Sequence, residues 1–269
     1  DKKNMIHSPS SSSAKLLFFD IDGTLAVGRR IPEENIKALQ QLKEKGHLTF
    51  ICTGRPAFYP RELFGSLPSG YVCCNGCSIE ADNQLLHEVP VPEEHLQKVK
   101  AIAREMNLGL LFSVSEGVIP FNFSKRQLKM AEDMYSRKHF LQDSPSSICT
   151  YDIFFDSIDQ FEKVRDRLAN EAILSPHFPH PSCDCSIKGW SKGEAMEWLQ
   201  NYFGVSKENT YAFGDGINDL SMFEHADHKI AMGNAVSSLK NQASYITDAV
   251  DQKGVYNALV HYQLIEQDC

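Results

Sequence analysis

Nine residues near the start, Leu16-Leu17-Phe18-Phe19-Asp20-Ile21-Asp22-Gly23-Thr24, constrain the fold more than any other stretch. Four consecutive apolar residues suit a strand buried on both faces, the signature of a parallel sheet covered by helices on each side. That strand delivers two acids, two positions apart, onto a glycine able to take a tight turn. Packing alone gives no reason for such an ending. Similar apolar runs recur at 48–52, 72–74, 210–213, 230–232 and 244–246. Helical patterns lie between several of them. Pro32 opens one, with Ile36, Leu39 and Leu42 at helical spacing and Gly46 as its stop. Ser191-Lys192-Gly193-Glu194 has the form of a capping box, with Met196, Leu199 and Phe203 behind it and Gly204 at its end. Strand and helix in alternation predict an α/β fold with a doubly wound, Rossmann-like parallel sheet.

The alternation breaks in the middle. From 83 to 187 the chain reads as a separate α+β module: two amphipathic helices and several strands rich in β-branched and aromatic residues. Parallel-type strands resume after it. The expected organisation is a discontinuous core over 15–82 and 188–269, an inserted cap over 83–187, and a disordered lead-in over 1–14, where a serine run offers nothing to bury.

Composition narrows the partners. A net charge of −8 over 269 residues gives no support to a general nucleic-acid or membrane-surface binder. No apolar stretch approaches the ~20 residues that span a bilayer. The expected setting is cytoplasmic, and the eight cysteines are expected to be reduced. Cys74, Cys77, Cys183 and Cys185 are enough for a zinc site in principle, but their spacing and apolar neighbours favour burial as plain thiols. The histidines, including His177 and His180 in Ser-Pro-His-Phe-Pro-His-Pro, show no metal-ligand spacing; that stretch reads as an irregular crossing back from the cap. Trp190, Phe121 and Phe123 read as packing residues, and Lys125, Arg126 and Lys129 as a solvated helix face.

Four polar pieces adjoin the ends of the predicted strands, where open α/β sheets form their sites. They are Asp20 to Thr24, Thr53-Gly54-Arg55-Pro56, Ser191-Lys192-Gly193, and Gly214-Asp215-Gly216-Ile217-Asn218-Asp219. Gathered at one sheet edge, Asp20, Asp22, Asp215 and Asp219 repel one another and call for a cation. A hard divalent ion such as Mg²⁺, with carboxylate and phosphate oxygens around it, answers that need. Thr53, Lys192 and Asn218 add donors without adding negative charge, a cradle suited to a phosphoryl group. Asp20 is then placed to attack phosphorus and Asp22 to move the proton of the leaving oxygen. Arg55, beside Thr53, is a candidate contact to substrate or cap.

These motifs resemble those of the haloacid dehalogenase superfamily of phosphotransferases. Asp20-Ile21-Asp22-Gly23-Thr24 looks like its first motif, Thr53 its second, Lys192 its third and the Gly214 to Asp219 run its fourth. Thr53-Gly54-Arg55-Pro56, Asn75-Gly76 and the segment from Val236 to Leu259 are similar to the Cof-like phosphatases, with Cys77 standing where alanine is common. The resemblance implies a type-two α/β cap between the second and third motifs. It implies Asp20 as nucleophile and Asp22 as general acid/base. Mg²⁺ would sit on Asp20, the backbone carbonyl of Asp22 and Asp215, with Asp219 on it or just behind. Thr53, Gly54, Lys192 and Asn218 would hold the phosphoryl group. The expected activity is hydrolysis of a small phosphorylated metabolite, a sugar phosphate or similar ester. A phosphomutase, or an idle binding protein on the same fold, are the alternatives.

Overall fold

The computed structural model describes residues 13–268. Apart from Ser13 and Ala14, the expected lead-in lies outside the described residues, as does Cys269. The chain begins with β1 (Leu16–Asp20), α1 (Glu33–Glu44), β2 (Leu48–Cys52), α2 (Phe58–Phe64), β3 (Gly70–Cys73), β4 (Ser78–Ala81) and β5 (Gln84–Glu88). A second group follows: α3 (Glu93–Met106), β6 (Gly109–Val114), β7 (Gly117–Phe121), α4 (Lys125–Met134), β8 (Thr150–Phe154), α5 (Ile158–Leu168), β9 (Ala172–Pro176) and β10 (Ser182–Ile187). The chain returns through α6 (Lys192–Phe203), β11 (Thr210–Gly214), α7 (Leu220–Phe223), β12 (His228–Ala231), α8 (Ser237–Gln242), β13 (Tyr245–Ile246) and α9 (Gly254–His261).

The core sheet has eight strands in the order β13-β12-β11-β1-β2-β3-β4-β5. β1 lies parallel to both β2 and β11. The chain leaves β1 toward one side and returns on the other, so the strand order reverses at its carboxyl end, the usual position of a ligand crevice in such sheets. Every residue of β1 is buried, as its apolar run requires. α1 carries Glu33 and Glu34 in its first turn and Lys43 in its last, matching the helix dipole. Glu194 accepts a hydrogen bond from Ser191 N–H at 2.8 Å, closing the N-terminus of α6.

The parallel part of this sheet ends in an antiparallel hairpin, β4–β5, paired to β3. The boundary expected at 83 falls in the turn of that hairpin, so β5 belongs to the core sheet. The turn residues Asp82 and Asn83 both have positive φ, 51° and 59°, as a two-residue hairpin turn demands.

The cap sheet has five strands, β7-β6-β8-β10-β9, all paired antiparallel. One face is apolar and packs under α3 and α5 through residues such as Val99, Ile102, Tyr151, Val164 and Cys183. Residues 172–187 form the hairpin β9–β10 within the cap rather than an irregular crossing. The loop between its strands carries His177 and His180.

Two cysteines depart from the reduced reading. Cys74, just after β3, and Cys149, just before β8, form a disulfide with their Cα atoms 5.9 Å apart. The chain entering β8 folds down against the core, which places Cys149 in the core cluster although it is 75 residues from Cys74. Cys52, Cys73, Cys77, Cys183 and Cys185 are free and buried, and no zinc cluster forms among the described residues. No helix of the described residues is long and apolar enough to cross a membrane.

Candidate active site

The four polar pieces meet at the carboxyl end of β1. Asp20 ends that strand and is 8% exposed. The chain then turns sharply, with the amides of Thr24, Leu25 and Ala26 donating to the carbonyl of Ile21 at 3.1, 2.9 and 2.9 Å. Gly23 takes φ +77°, and a Cβ there would stand 2.1 Å from Asp215 Oδ2. Only glycine serves both demands, the left-handed backbone and the close approach of a carboxylate. β2 presents Thr53, buried, whose Oγ1 accepts the Arg55 N–H at 3.1 Å. β11 presents Asp215, followed by the short turn to Asp219.

Asp219 is fully buried. Its Oδ2 accepts the N–H groups of Asp215 and Gly216 at 3.0 and 3.1 Å, and its Oδ1 accepts from Lys192 Nζ at 3.0 Å. Lys192, 1% exposed at the start of α6, also reaches Asp20 Oδ1 at 3.3 Å. Burial disfavours its charged form, but the Asp20 and Asp219 carboxylates more than reverse that and hold the ammonium charged.

The same crowding acts on the acids. Burial, then Asp219, push the Asp20 carboxyl well above the usual range, against the pull of Lys192. Burial and Asp219 push Asp215 up to about 6. One ammonium does not balance three carboxylates packed this closely. Oxygens of Asp20, Asp215 and Asp219 lie within 4.8 Å of one another. That donor set, all oxygen and short of positive charge, fits a hard divalent cation. Asp219 already serves two amides and Lys192, so Asp20 and Asp215 are the carboxylates left to face such an ion.

Asp22 stands apart from that group. Its side chain is 52% exposed, and its Oδ2 accepts from Arg55 Nε at 3.2 Å. The Arg55 guanidinium lies over the Tyr59 ring, 4.2 Å from its centroid. Arg55 thus holds the second acid of the pair from the core side. Trp190 does not line the cleft; its indole N–H donates to the Gly76 carbonyl at 2.7 Å, a packing role.

A cleft of about 460 Å³ opens over these groups, with Asp20, Asp22, Thr53, Gly54, Arg55, Asp215 and Asn218 on its core wall. Lys192 and Asp219 lie beneath it. The opposite wall comes from the cap, through Met134, Tyr135, Asp152, His177, His180 and Asp184; of these only the two histidines drew notice from sequence, and then as unsuited to a metal. The signal was present as alternation. In β8 and β10, Tyr151, Ile153, Cys183 and Cys185 are buried in the cap core, while Asp152 and Asp184 point the other way. Asn75 ties the two walls, donating through Nδ2 to Asp184 Oδ2 and to Ser186 Oγ, each at 3.2 Å.

Comparison with known proteins gives the family of the chain. A family model of haloacid dehalogenase-like hydrolases matches residues 17–259. The chain is 30% identical over 272 residues to YkrA of Bacillus subtilis, covering 94% of this chain and 99% of that one. It is 29% identical over 259 residues to the Bacillus subtilis protein named 5-amino-6-(5-phospho-D-ribitylamino)uracil phosphatase YcsE, covering 93% and 96%. Among solved structures it is similar to BT1666 from Bacteroides thetaiotaomicron, described among phosphatases of the same superfamily. The TM-score is 0.81 at 26% identity, over 96% of this chain and 98% of that one. The chain belongs to the haloacid dehalogenase-like hydrolase family, in its Cof-like phosphatase branch, and is a phosphoric monoester hydrolase.

Proposed function

We propose that this phosphatase hydrolyses phosphomonoesters of small metabolites in two displacements at phosphorus, with Mg²⁺ as its metal. The observation that carries the reading is the meeting of Asp20, Asp215 and Asp219 within 4.8 Å at the floor of an open cleft. In the first step an Asp20 oxygen attacks phosphorus and the ester P–O bond breaks. Asp22 gives its proton to the leaving oxygen, and the phosphoryl group is left on Asp20. In the second step Asp22, now a carboxylate, takes a proton from water as that water attacks phosphorus. Asp20 is released with inorganic phosphate. Thr53, the Gly54 amide, Lys192 and Asn218 hold the phosphoryl oxygens throughout.

Asp20 and Asp215, with Asp219 behind them, would hold Mg²⁺, together with the Asp22 carbonyl. When bound, the ion supplies positive charge to the phosphoryl oxygens and to the nucleophile. Arg55 keeps the Asp22 carboxyl beside the leaving oxygen. A cap that roofs a cleft of about 460 Å³ supports a small substrate. The relative YcsE is named for a phosphorylated ribitylamino uracil, which is a small ester.

The test is release of p-nitrophenol from p-nitrophenyl phosphate. Chelation by EDTA is expected to abolish release, and excess Mg²⁺ to restore it. Failure to hydrolyse this ester and a panel of phosphorylated metabolites, with or without Mg²⁺, would remove the assignment.

A further inference from the structure

The cap wall has a chemistry of its own. Asp152 in β8 lies directly opposite Asp184 in β10, so the two carboxylates sit side by side on the sheet face that roofs the cleft. Asp184 is well partnered: it accepts from Asn75, and His177 Nε2 lies 3.5 Å from its Oδ1. His177 is in turn fixed through Nδ1 to Ser182 Oγ at 2.8 Å. Asp152 is different. It is 8% exposed, yet among the described residues its carboxylate accepts no hydrogen bond and joins no ion pair. A carboxylate on a residue this buried, with no donor from the protein and facing the cleft, is placed to take a donor from a ligand. Burial, and Asp184 beside it, push its carboxyl up to about 7, against the pull of His177 and Arg55. Nearby, His180 Nε2 is buried with no hydrogen-bond partner among the described residues.

Charge on this wall disfavours a second anion. Among the described residues lining the cleft, Arg55 is the one lysine or arginine, and its guanidinium is committed to Asp22.

We propose that Asp152, beside the His177–Asp184 pair, selects the leaving alcohol by accepting a hydrogen bond from a hydroxyl or ammonium group on it, and that this wall turns away leaving groups carrying a second anion. The inference rests on the phosphatase reading and adds the class of alcohol: neutral or cationic, rich in donors. A cleft of about 460 Å³ holds a phosphoryl group and a six-carbon chain.

Three esters that differ only at the far carbon test it: sorbitol 6-phosphate with CH₂OH, its 1-amino-1-deoxy analogue with CH₂NH₃⁺, and 6-phosphogluconate with COO⁻. For the wild-type protein at about pH 8, where the Asp152 carboxyl is ionised, kcat/KM for the alcohol and the amine should each exceed that for the carboxylate by at least about tenfold. Whichever of the two is faster identifies the donor. Asp152→Asn should shrink the discrimination to within about threefold, because the amide carries no charge to repel the carboxylate. A ratio between substrates is insensitive to general damage, so a merely structural role for Asp152 would not move it. The wild-type comparison stands even where the variant does not fold. Equal kcat/KM across the three esters, or full discrimination retained in Asp152→Asn, would overturn the inference alone. No turnover of any of them, nor of p-nitrophenyl phosphate, would overturn the phosphatase reading and this inference with it.

Discussion

Asp20→Asn is expected to lower kcat by at least about 10⁴-fold, the scale seen when a covalent nucleophile is removed, while leaving the melting temperature unchanged or raised. The two halves of this result have one cause. Asp20 is buried among Asp215 and Asp219, and its carboxyl is pushed well above the usual range. The fold therefore disfavours the ionised form that the chemistry requires. Asparagine keeps the shape, and its amide oxygen still accepts from Ile21 N–H, which lies 2.9 Å from Asp20 Oδ1. It also relieves the repulsion. In chelator the stabilising difference should grow as pH rises through about 6, because Asp215 then gives up its proton and its charge opposes ionisation of Asp20 beside it. The sign follows from raised folded-state values: relative stability is present at low pH and lost as pH climbs through them. Phosphate release and calorimetry on the same preparation check both halves. A variant that retains several per cent of the activity, or loses activity only because it unfolds, would contradict the assignment.

Lys192→Met should have the largest effect on stability. The ammonium is 1% exposed and lies between Asp20 and Asp219, the latter fully buried. Methionine fills the space and leaves two carboxylates without their cation. Removing one partner of a buried pair costs about 3–5 kcal/mol, which for a chain of this size lowers the melting temperature by roughly 10 °C. Adding Asp219→Asn should recover part of that loss, because the unpaired charge goes with it. The double variant is then more stable than the sum of the single changes predicts. Mg²⁺ should also stabilise Lys192→Met more than it stabilises the wild type, since the ion replaces part of the missing charge. An unchanged melting temperature in the single variant would show that the lysine is not needed to balance Asp219.

The core wall of the cleft was legible in the sequence because each piece is local. An apolar run, a strand end and two or three polar residues stand together at 16–24, 48–55 and 210–219. Parallel pairing of β1 with β2 and β11 then brings the ends together without further information. Lys192 was legible for a similar reason, as the first residue of a capped helix. The cap wall depends instead on which strands pair. Asp152 and Asp184 are 32 residues apart, and only the β8–β10 register sets them side by side. The disulfide is harder still, since nothing local links Cys74 to Cys149. The β4–β5 hairpin was within reach, because Asp82-Asn83 between short strands is a turn signal. Its half-exposed second strand, however, lacks the apolar run that marks the buried ones.

The central claim is that the phosphoryl group passes through Asp20 on its way to water. Hydrolysis of a phosphorothioate monoester made chiral at phosphorus with ¹⁶O and ¹⁸O, run in H₂¹⁷O and analysed in the released inorganic thiophosphate, tests it most directly. Each in-line displacement inverts phosphorus, so two displacements through Asp20 predict net retention of configuration. Net inversion would mean that water attacks the ester directly, with Asp20 never bonded to phosphorus.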